Sequence, residues 1–326
     1  MADAQYPESW PPGASPAVPG TDDFPSPQPR ERVWLHVLLF VTTFAATTLV
    51  GGAFYRNFLS DLGWRRINVP PATLLLGGLW YSVPALLILG CHEMGHYFAC
   101  RYYGISATLP FFIPAPIVSL FGTLGAVIRI REPLRTKRIL FDVGVAGPLA
   151  GFVVLLPALI LGIRWSEVMR QPPPSPDGLE LGEPLVFQLV TRLFFGPIPE
   201  GYTLNAHPMA FASIFGLLAT ALNLLPIGQL DGGHLAYANF GARAKYVTFA
   251  TLGATAVLGL TVSTSWLIWG AIILALLYVS GFEHPPTVDE HEPLDRTRVA
   301  ISILAIIIFA LCFTPWPITP QDLISR

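Results

Sequence analysis

Charge is scarce in this chain. Asp, Glu, Lys and Arg together make up 12% of its 326 residues, about half the roughly 25% of a soluble globular domain. Hydrophobic residues reach 52%, so the composition excludes an ordinary water-soluble domain and points to a membrane protein. Lysine is almost missing, with only Lys137 and Lys245 among 19 basic residues. The formal net charge of -2 leaves out the basic surface that nucleic-acid binding requires. Cysteine is limited to Cys91, Cys100 and Cys312, an odd and scattered set that excludes a disulfide framework or a zinc ribbon. Cys91 adjoins a polar motif, but reads as a small apolar helix residue. Residues 1–33 lack the basic stretch and apolar core of a signal peptide. Rich in Pro, Ser, Gly and Asp, they are expected to form a disordered tail.

What the chain has instead is a series of apolar runs of about 17 to 25 residues, the length that crosses a bilayer as a helix. They fall at Val33–Phe54, Thr73–Tyr103, Ile139–Ile163, Pro208–Tyr237, Tyr246–Val262, Ser265–Phe282 and Thr297–Phe313, the fourth interrupted at Pro226. The expected fold is an all-α polytopic membrane protein of about seven transmembrane helices. Pro110, Pro114 and Pro116 forbid a helix in the connection 104–138, and residues 122–131 are β-rich and partly alternating. A small membrane-associated β-hairpin is therefore expected there, packed on protein, because irregular backbone is not tolerated against lipid. The connection 164–207 reads as a Pro-rich external loop, too short for a further domain of ordinary size. The expected organisation is a tail at 1–33, a first span and loop at 34–71, a core at 72–240 and C-terminal helices at 241–326. Twelve of the 19 Lys and Arg residues lie on the side of the N-terminal tail and seven on the other. That bias predicts a cytoplasmic N-terminus.

One apolar run ends in residues that are expensive in lipid: His92-Glu93-Met94-Gly95-His96. On a helix, positions four apart share a face, so both imidazoles can bind one zinc ion. Glu93, beside the first ligand, can serve as general base toward a zinc-bound water. A catalytic zinc needs a third protein ligand, and the candidate is Asp231 in Asn223-Leu224-Leu225-Pro226-Ile227-Gly228-Gln229-Leu230-Asp231-Gly232-Gly233-His234. Pro226 and the glycines there let the backbone leave helical geometry and turn a carboxylate inward. By itself Asp-Gly-Gly reads as a turn; with the zinc motif it becomes a ligand. Gly147 and Gly151 are spaced for close approach of two helices, which would hold the ligands in place. Of the other histidines, His234 could support the metal site from behind but is expected to be structural or interfacial, and His36 to sit at the membrane interface. His207, His284 and His291 fall in loops, where solvated side chains are the default.

His92-Glu93-Met94-Gly95-His96 together with Leu230-Asp231-Gly232 resembles the site-2 protease family of intramembrane zinc metalloproteases, and Gly147-Pro148-Leu149-Ala150-Gly151 resembles that family's small-residue motif. The resemblance covers roughly residues 72–240. It implies a three-span catalytic core cutting substrate helices within the membrane, one zinc ion per chain, and a β-hairpin after the zinc-motif helix. Carried over by position, His92, His96 and Asp231 match the zinc ligands, Glu93 the catalytic acid/base, and Asn223 a polar residue that could hold the oxyanion. The chain departs from many members in lacking a PDZ domain between spans three and four.

The expected function is regulated intramembrane proteolysis by zinc-activated water, with single-span or other membrane-protein substrates, the bilayer as environment and no nucleic-acid partner. Segment 122–131 could offer a strand edge to an unwound substrate. The expected location is a bacterial cytoplasmic membrane. The alternatives are a catalytically silent family member and a metal-binding membrane transporter; a passive metal site has no use for Glu93, and a silent member would be expected to lack it or a ligand.

Overall fold

The computed structural model describes residues 32–117, 119–173, 179–280, 286–290 and 292–320. The tail expected to be disordered, except for its last residues, and the loop residues Glu283, His284 and His291 lie outside them.

Three helices are long and apolar enough to cross a membrane: α1 (Val33–Leu59), α2 (Pro71–Tyr102) and α3 (Lys137–Arg164). α1 runs five residues past the end of the apolar stretch that predicted it, α2 starts two residues early and ends one short, and α3 extends by two residues and one. The extra turns are supplied by ends that favour a helix: Pro71 needs no amide partner in the first turn of α2, and the Thr136 side chain accepts from the Ile139 amide at the start of α3. α2 has 32 residues, about 48 Å of helix. That exceeds the roughly 30 Å of a hydrocarbon core, so its last turns can carry polar groups.

The remaining helices are shorter. α4 (Leu185–Phe195) stands in the connection read as a loop, between the paired strands β3 (Glu167–Arg170) and β5 (Tyr202–Asn205), and the helix α5 (Pro208–Asn223) follows. A further strand, β4 (Leu179–Leu181), pairs with β6 (Ile318–Pro320) near the end of the described chain. α6 (Asp231–Phe240) follows α5 after a seven-residue break at 224–230. α7 (Ala244–Thr261), α8 (Ser265–Ser280) and α9 (Arg296–Cys312) complete the helices. None of α4 to α9 meets the length and hydropathy of a full span by itself, so about seven spans is not what helix length alone yields. The all-α expectation also understates the strands: among the described residues there are three two-stranded sheets.

Small residues bring the long helices together. A Cβ on Gly51 would lie 2.4 Å from the Gly78 carbonyl oxygen, and one on Gly78 2.2 Å from that of Thr48, so α1 and α2 touch backbone to backbone. The Thr48 hydroxyl donates to Ser82 at 3.0 Å across the same contact. α2, α3 and α5 then enclose the main core, in which Ile88, Leu155, Leu159, Ile163 and Leu217 are buried. α6 packs on α3 where Gly144 leaves room for His234 and Leu235.

The hairpin is present, as β1 (Phe111–Pro114) and β2 (Thr123–Val127), paired antiparallel with Phe111 opposite Val127 and a bulge before Pro114. It is shorter than residues 122–131. At Ile128 the amide turns to α2 and interrupts the ladder, and antiparallel pairing resumes as an isolated bridge between Ala107 and Ile130. The Tyr81 hydroxyl donates to the Phe121 carbonyl at 2.9 Å, tying the hairpin to the middle of α2.

Candidate metal centre

His92 and His96 lie one turn apart on α2, with ring centroids 4.9 Å apart and their Nε2 atoms 3.2 Å apart. Both rings face α3, which is possible only because that helix has no side chain beneath them. A Cβ on Gly147 would fall 2.0 Å from His96 Nε2, and one on Gly151 3.1 Å from His92 Cβ. The Gly147/Gly151 spacing is thus a packing device, as its small-residue pattern suggests, and the helix it serves is α2. His96 Nδ1 meets the Val143 carbonyl at 2.7 Å, which leaves Nε2 to point inward.

Asp231 reaches the same point from the other half of the chain. Its carboxylate oxygens lie 3.2 Å from His92 Nε2 and 3.3 Å from His96 Nε2. The residue opens α6, and the two glycines after it have a steric reason. A Cβ on Gly232 would lie 2.1 Å from the Leu224 carbonyl oxygen, and one on Gly233 2.2 Å from that of Gly228. The break between α5 and α6 folds back onto the first turn of α6, and only glycine leaves space for it. Asn223, the last residue of α5, places its side-chain amide 3.1 Å from His92 Nε2.

Glu93 is beside these groups without being one of the three donors. Its carboxylate accepts the Ile128 amide at 2.9 Å, just past β2. His92, Glu93 and His96 are all buried. The five sequence-predicted residues, His92, His96, Asp231, Glu93 and Asn223, therefore lie in one neighbourhood. What sequence reading missed is the Ile128 amide. It is a backbone donor, and no side-chain pattern marks one.

The donor chemistry suits a metal ion. One ligand atom from each of His92, His96 and Asp231 lies within 4.8 Å of the others. Two buried imidazoles and a part-buried carboxylate, all on helices, make a three-donor set of the kind a catalytic zinc takes.

His36 is buried, its Nδ1 3.1 Å from the Pro110 carbonyl and its ring against Phe111, so it anchors the hairpin to α1. One other histidine departs from expectation. His207 is not solvated. It is packed among Phe58, Trp80 and Trp165 and accepts the Met209 amide as the cap of α5. Burial pushes its pKa down to about 4. His234, expected to be structural, lies with its Cβ 3.0 Å from where a side chain on Gly144 would begin.

Fold and site together define a helical membrane protein built around one buried metal-binding constellation. Residues 81–263 match the description of peptidase family M50. The chain belongs to that family, the site-2 protease family. It is 32% identical over 265 residues to the probable zinc metalloprotease EGY2, chloroplastic, of Oryza sativa subsp. indica, covering 77% of this chain and 45% of that protein. With EGY2 of Arabidopsis thaliana it is 30% identical over 252 residues, 75% of this chain and 43% of the other. With the probable zinc metalloprotease EGY3 of Oryza sativa subsp. indica it is 29% identical over 311 residues, 86% and 47%. The chain thus spans less than half the length of these curated relatives.

These relatives are chloroplastic plant proteins. They give no support to a bacterial cytoplasmic membrane or to a cytoplasmic N-terminus, and both assignments are withdrawn. The charge count behind the N-terminal orientation leaned on the connection after α2. There Lys137 is buried, and its ammonium group donates to the Glu290 and Glu292 carbonyls, so that charge serves a tertiary contact.

Proposed function

We propose that this protein is a zinc metalloendopeptidase that hydrolyses peptide bonds within membrane segments of other membrane proteins. The observation that carries the reading is the convergence of His92, His96 and Asp231 beside a buried carboxylate, Glu93, that contributes no atom to the group. In this reading His92, His96 and Asp231 hold one zinc ion, residues 72–240 are the catalytic core, and α5 with α6, α7, α8 and α9 complete about seven crossings.

Zinc, when bound, would polarise the scissile carbonyl and bring the pKa of water toward neutrality. Glu93 takes the proton of the attacking water as its oxygen bonds to the carbonyl carbon. It then gives that proton to the amine as the C–N bond breaks. The Ile128 amide holds the Glu93 carboxylate in one orientation during both transfers. Asn223, with its amide beside His92, donates to the carbonyl oxygen as negative charge develops. The Val143 carbonyl keeps the His96 ring in the tautomer that presents Nε2.

The substrate must be unwound at the cut, because a helical peptide bond is shielded and internally hydrogen-bonded. β2 supports that step as a strand edge for the extended segment. Its chain leads directly to the Ile128 amide, and so to Glu93. In this reading the physiological activity is regulated intramembrane proteolysis.

The test is co-expression with tagged single-span substrates, comparing wild type with Glu93→Gln. The variant is expected to keep its zinc and lose cleavage by about 10²- to 10⁴-fold, the contribution of a general base. Equal cleavage by both proteins would remove Glu93 from the mechanism.

A further inference from the structure

A second polar cluster lies two helical turns beyond the metal centre. Its hub is Asp142 on α3. The Tyr103 hydroxyl, at the cap of α2, donates to Asp142, and Arg298 in the first turn of α9 donates Nε to the same carboxylate at 2.8 Å. A second Arg298 nitrogen also reaches Asp142, while a third pairs with Asp295. Tyr103 is seven residues after His96, hence on the same face of α2. Asp142 immediately precedes Val143, the residue whose carbonyl holds His96 Nδ1. The Arg298 contact is therefore made one residue from the acceptor that orients a metal-site imidazole.

α9 makes a second contact one turn later. The Ser302 hydroxyl and the Asn239 side chain exchange hydrogen bonds at 3.0 and 3.3 Å, and Asn239 lies on α6, the helix that Asp231 opens. The residues leading into α9 repeat this pattern. Lys137, the first residue of α3, donates its ammonium group to the Glu290 and Glu292 carbonyls and its amide to Asp289. The Glu290 carboxylate accepts the Ala242 amide just past α6. Satisfying the charges of the part-buried Arg298 and the buried Lys137 would require a partner for each. It would not require that both sets of contacts join the helix behind His96 to the helix that carries Asp231.

We propose that α9, with Asp289, Glu290 and Glu292 ahead of it, is a brace that sets the distance between His96 and Asp231 and so the metal affinity of the site. Arg298, Asp142 and Ser302 are its positioning residues. The brace lies outside residues 81–263, the part matched to the family. The inference rests on the reading of His92, His96 and Asp231 as metal ligands, and the test separates the two.

The full chain is purified in lipid nanodiscs, and its Zn2+ dissociation constant is measured by chelator competition, alongside the visible spectrum of the Co2+-loaded protein. Arg298→Met is expected to weaken Zn2+ binding by about 10- to 100-fold, the usual effect of removing a group that supports a ligand from behind, and to change the Co2+ spectrum. Asp142→Asn should do the same. The double variant should be weaker than either single one by less than the two losses combined, because the Arg298–Asp142 contact is shared while Tyr103 and Asp295 each meet only one of the pair. Arg298→Lys should recover part of the loss, and Ser302→Ala should cause a smaller one through α6. These milder variants carry the test if Arg298→Met does not fold. Arg65→Ala, which removes a surface pair with Asp61, should leave affinity unchanged. Zn2+ affinities within twofold of wild type, with only the thermal stability of the metal-free protein lowered, would overturn the brace and leave the metal reading intact. A wild-type protein that takes up no stoichiometric Zn2+ would overturn both.

Discussion

Buried histidine occurs at both ends of the α2–α3–α5 core, and the two ends differ in what surrounds it. His96 and His207 are equally buried, each 7% exposed. At one end His96 and His92 meet a carboxylate and an amide, and their Nε2 atoms converge on one point. At the other, His207 is walled by Phe58, Trp80 and Trp165, at 5.3 to 5.6 Å between ring centroids, and its Nδ1 is occupied by the Met209 amide. Trp80 and His92 are on the same helix, about 18 Å apart along it. Burial therefore does not identify a functional imidazole. In the proposed function, convergent ring nitrogens next to a carboxylate mark the metal-binding pair, and an aromatic enclosure marks a packing histidine.

The comparison can be broken most forcefully at Gly147. Its replacement by Ala drives a methyl group into His96 Nε2, and the expected outcome is loss of stoichiometric zinc, measured by elemental analysis, in a chain that still inserts and folds. Retention of zinc would mean that His96 is not a ligand. Next is Asp231→Asn, expected to lower zinc affinity by at least tenfold while leaving helix content unchanged by circular dichroism. Full occupancy in that variant would point to another third ligand.

The aromatic end should respond to pH and not to metal. Its pKa of about 4, against an ordinary value of 6.5, means that the folded state binds fewer protons than the unfolded state between those values. His207 then contributes nothing unfavourable above about pH 6.5, and stability falls as pH drops from there toward 4. Thermal melts of His207→Phe should lose that slope while zinc content and cleavage stay at wild-type levels. A loss of zinc in this variant would end the distinction between the two histidine environments. The smallest effect is expected for Gly151→Ala. The nearest His92 atom would be 3.1 Å from the new methyl group, a contact relieved by a shift of a few tenths of an ångström. A reduction in zinc affinity of about threefold or less is expected, against complete loss at Gly147.

Much of the fold could be read along the chain. The three long helices appear within a few residues of their apolar runs, and the hairpin lies where three prolines exclude a helix. α4 was hidden inside a Pro-rich connection. Its 11 residues are too few for a spanning run, and its burial depends on neighbours from α3 and α9. His207 was misread for a related reason. A histidine before a proline in a loop carries no local sign that two tryptophans and a phenylalanine from three other segments will close around it.

What the sequence determined by itself is the membrane character of the chain, the shared face of His92 and His96, and the need for a third ligand such as Asp231. These follow from composition, from the helical period and from coordination chemistry, all of which act over a few residues or none. The tertiary structure decided where the chemistry is aimed. It placed Asp231 3.2 Å from a residue 139 positions earlier, gave Glu93 a backbone donor from the hairpin, and tied α9 to both halves of the site. Contacts between such distant positions have no local signature, because they exist only once helices with glycine on their facing sides have packed closely enough to make them.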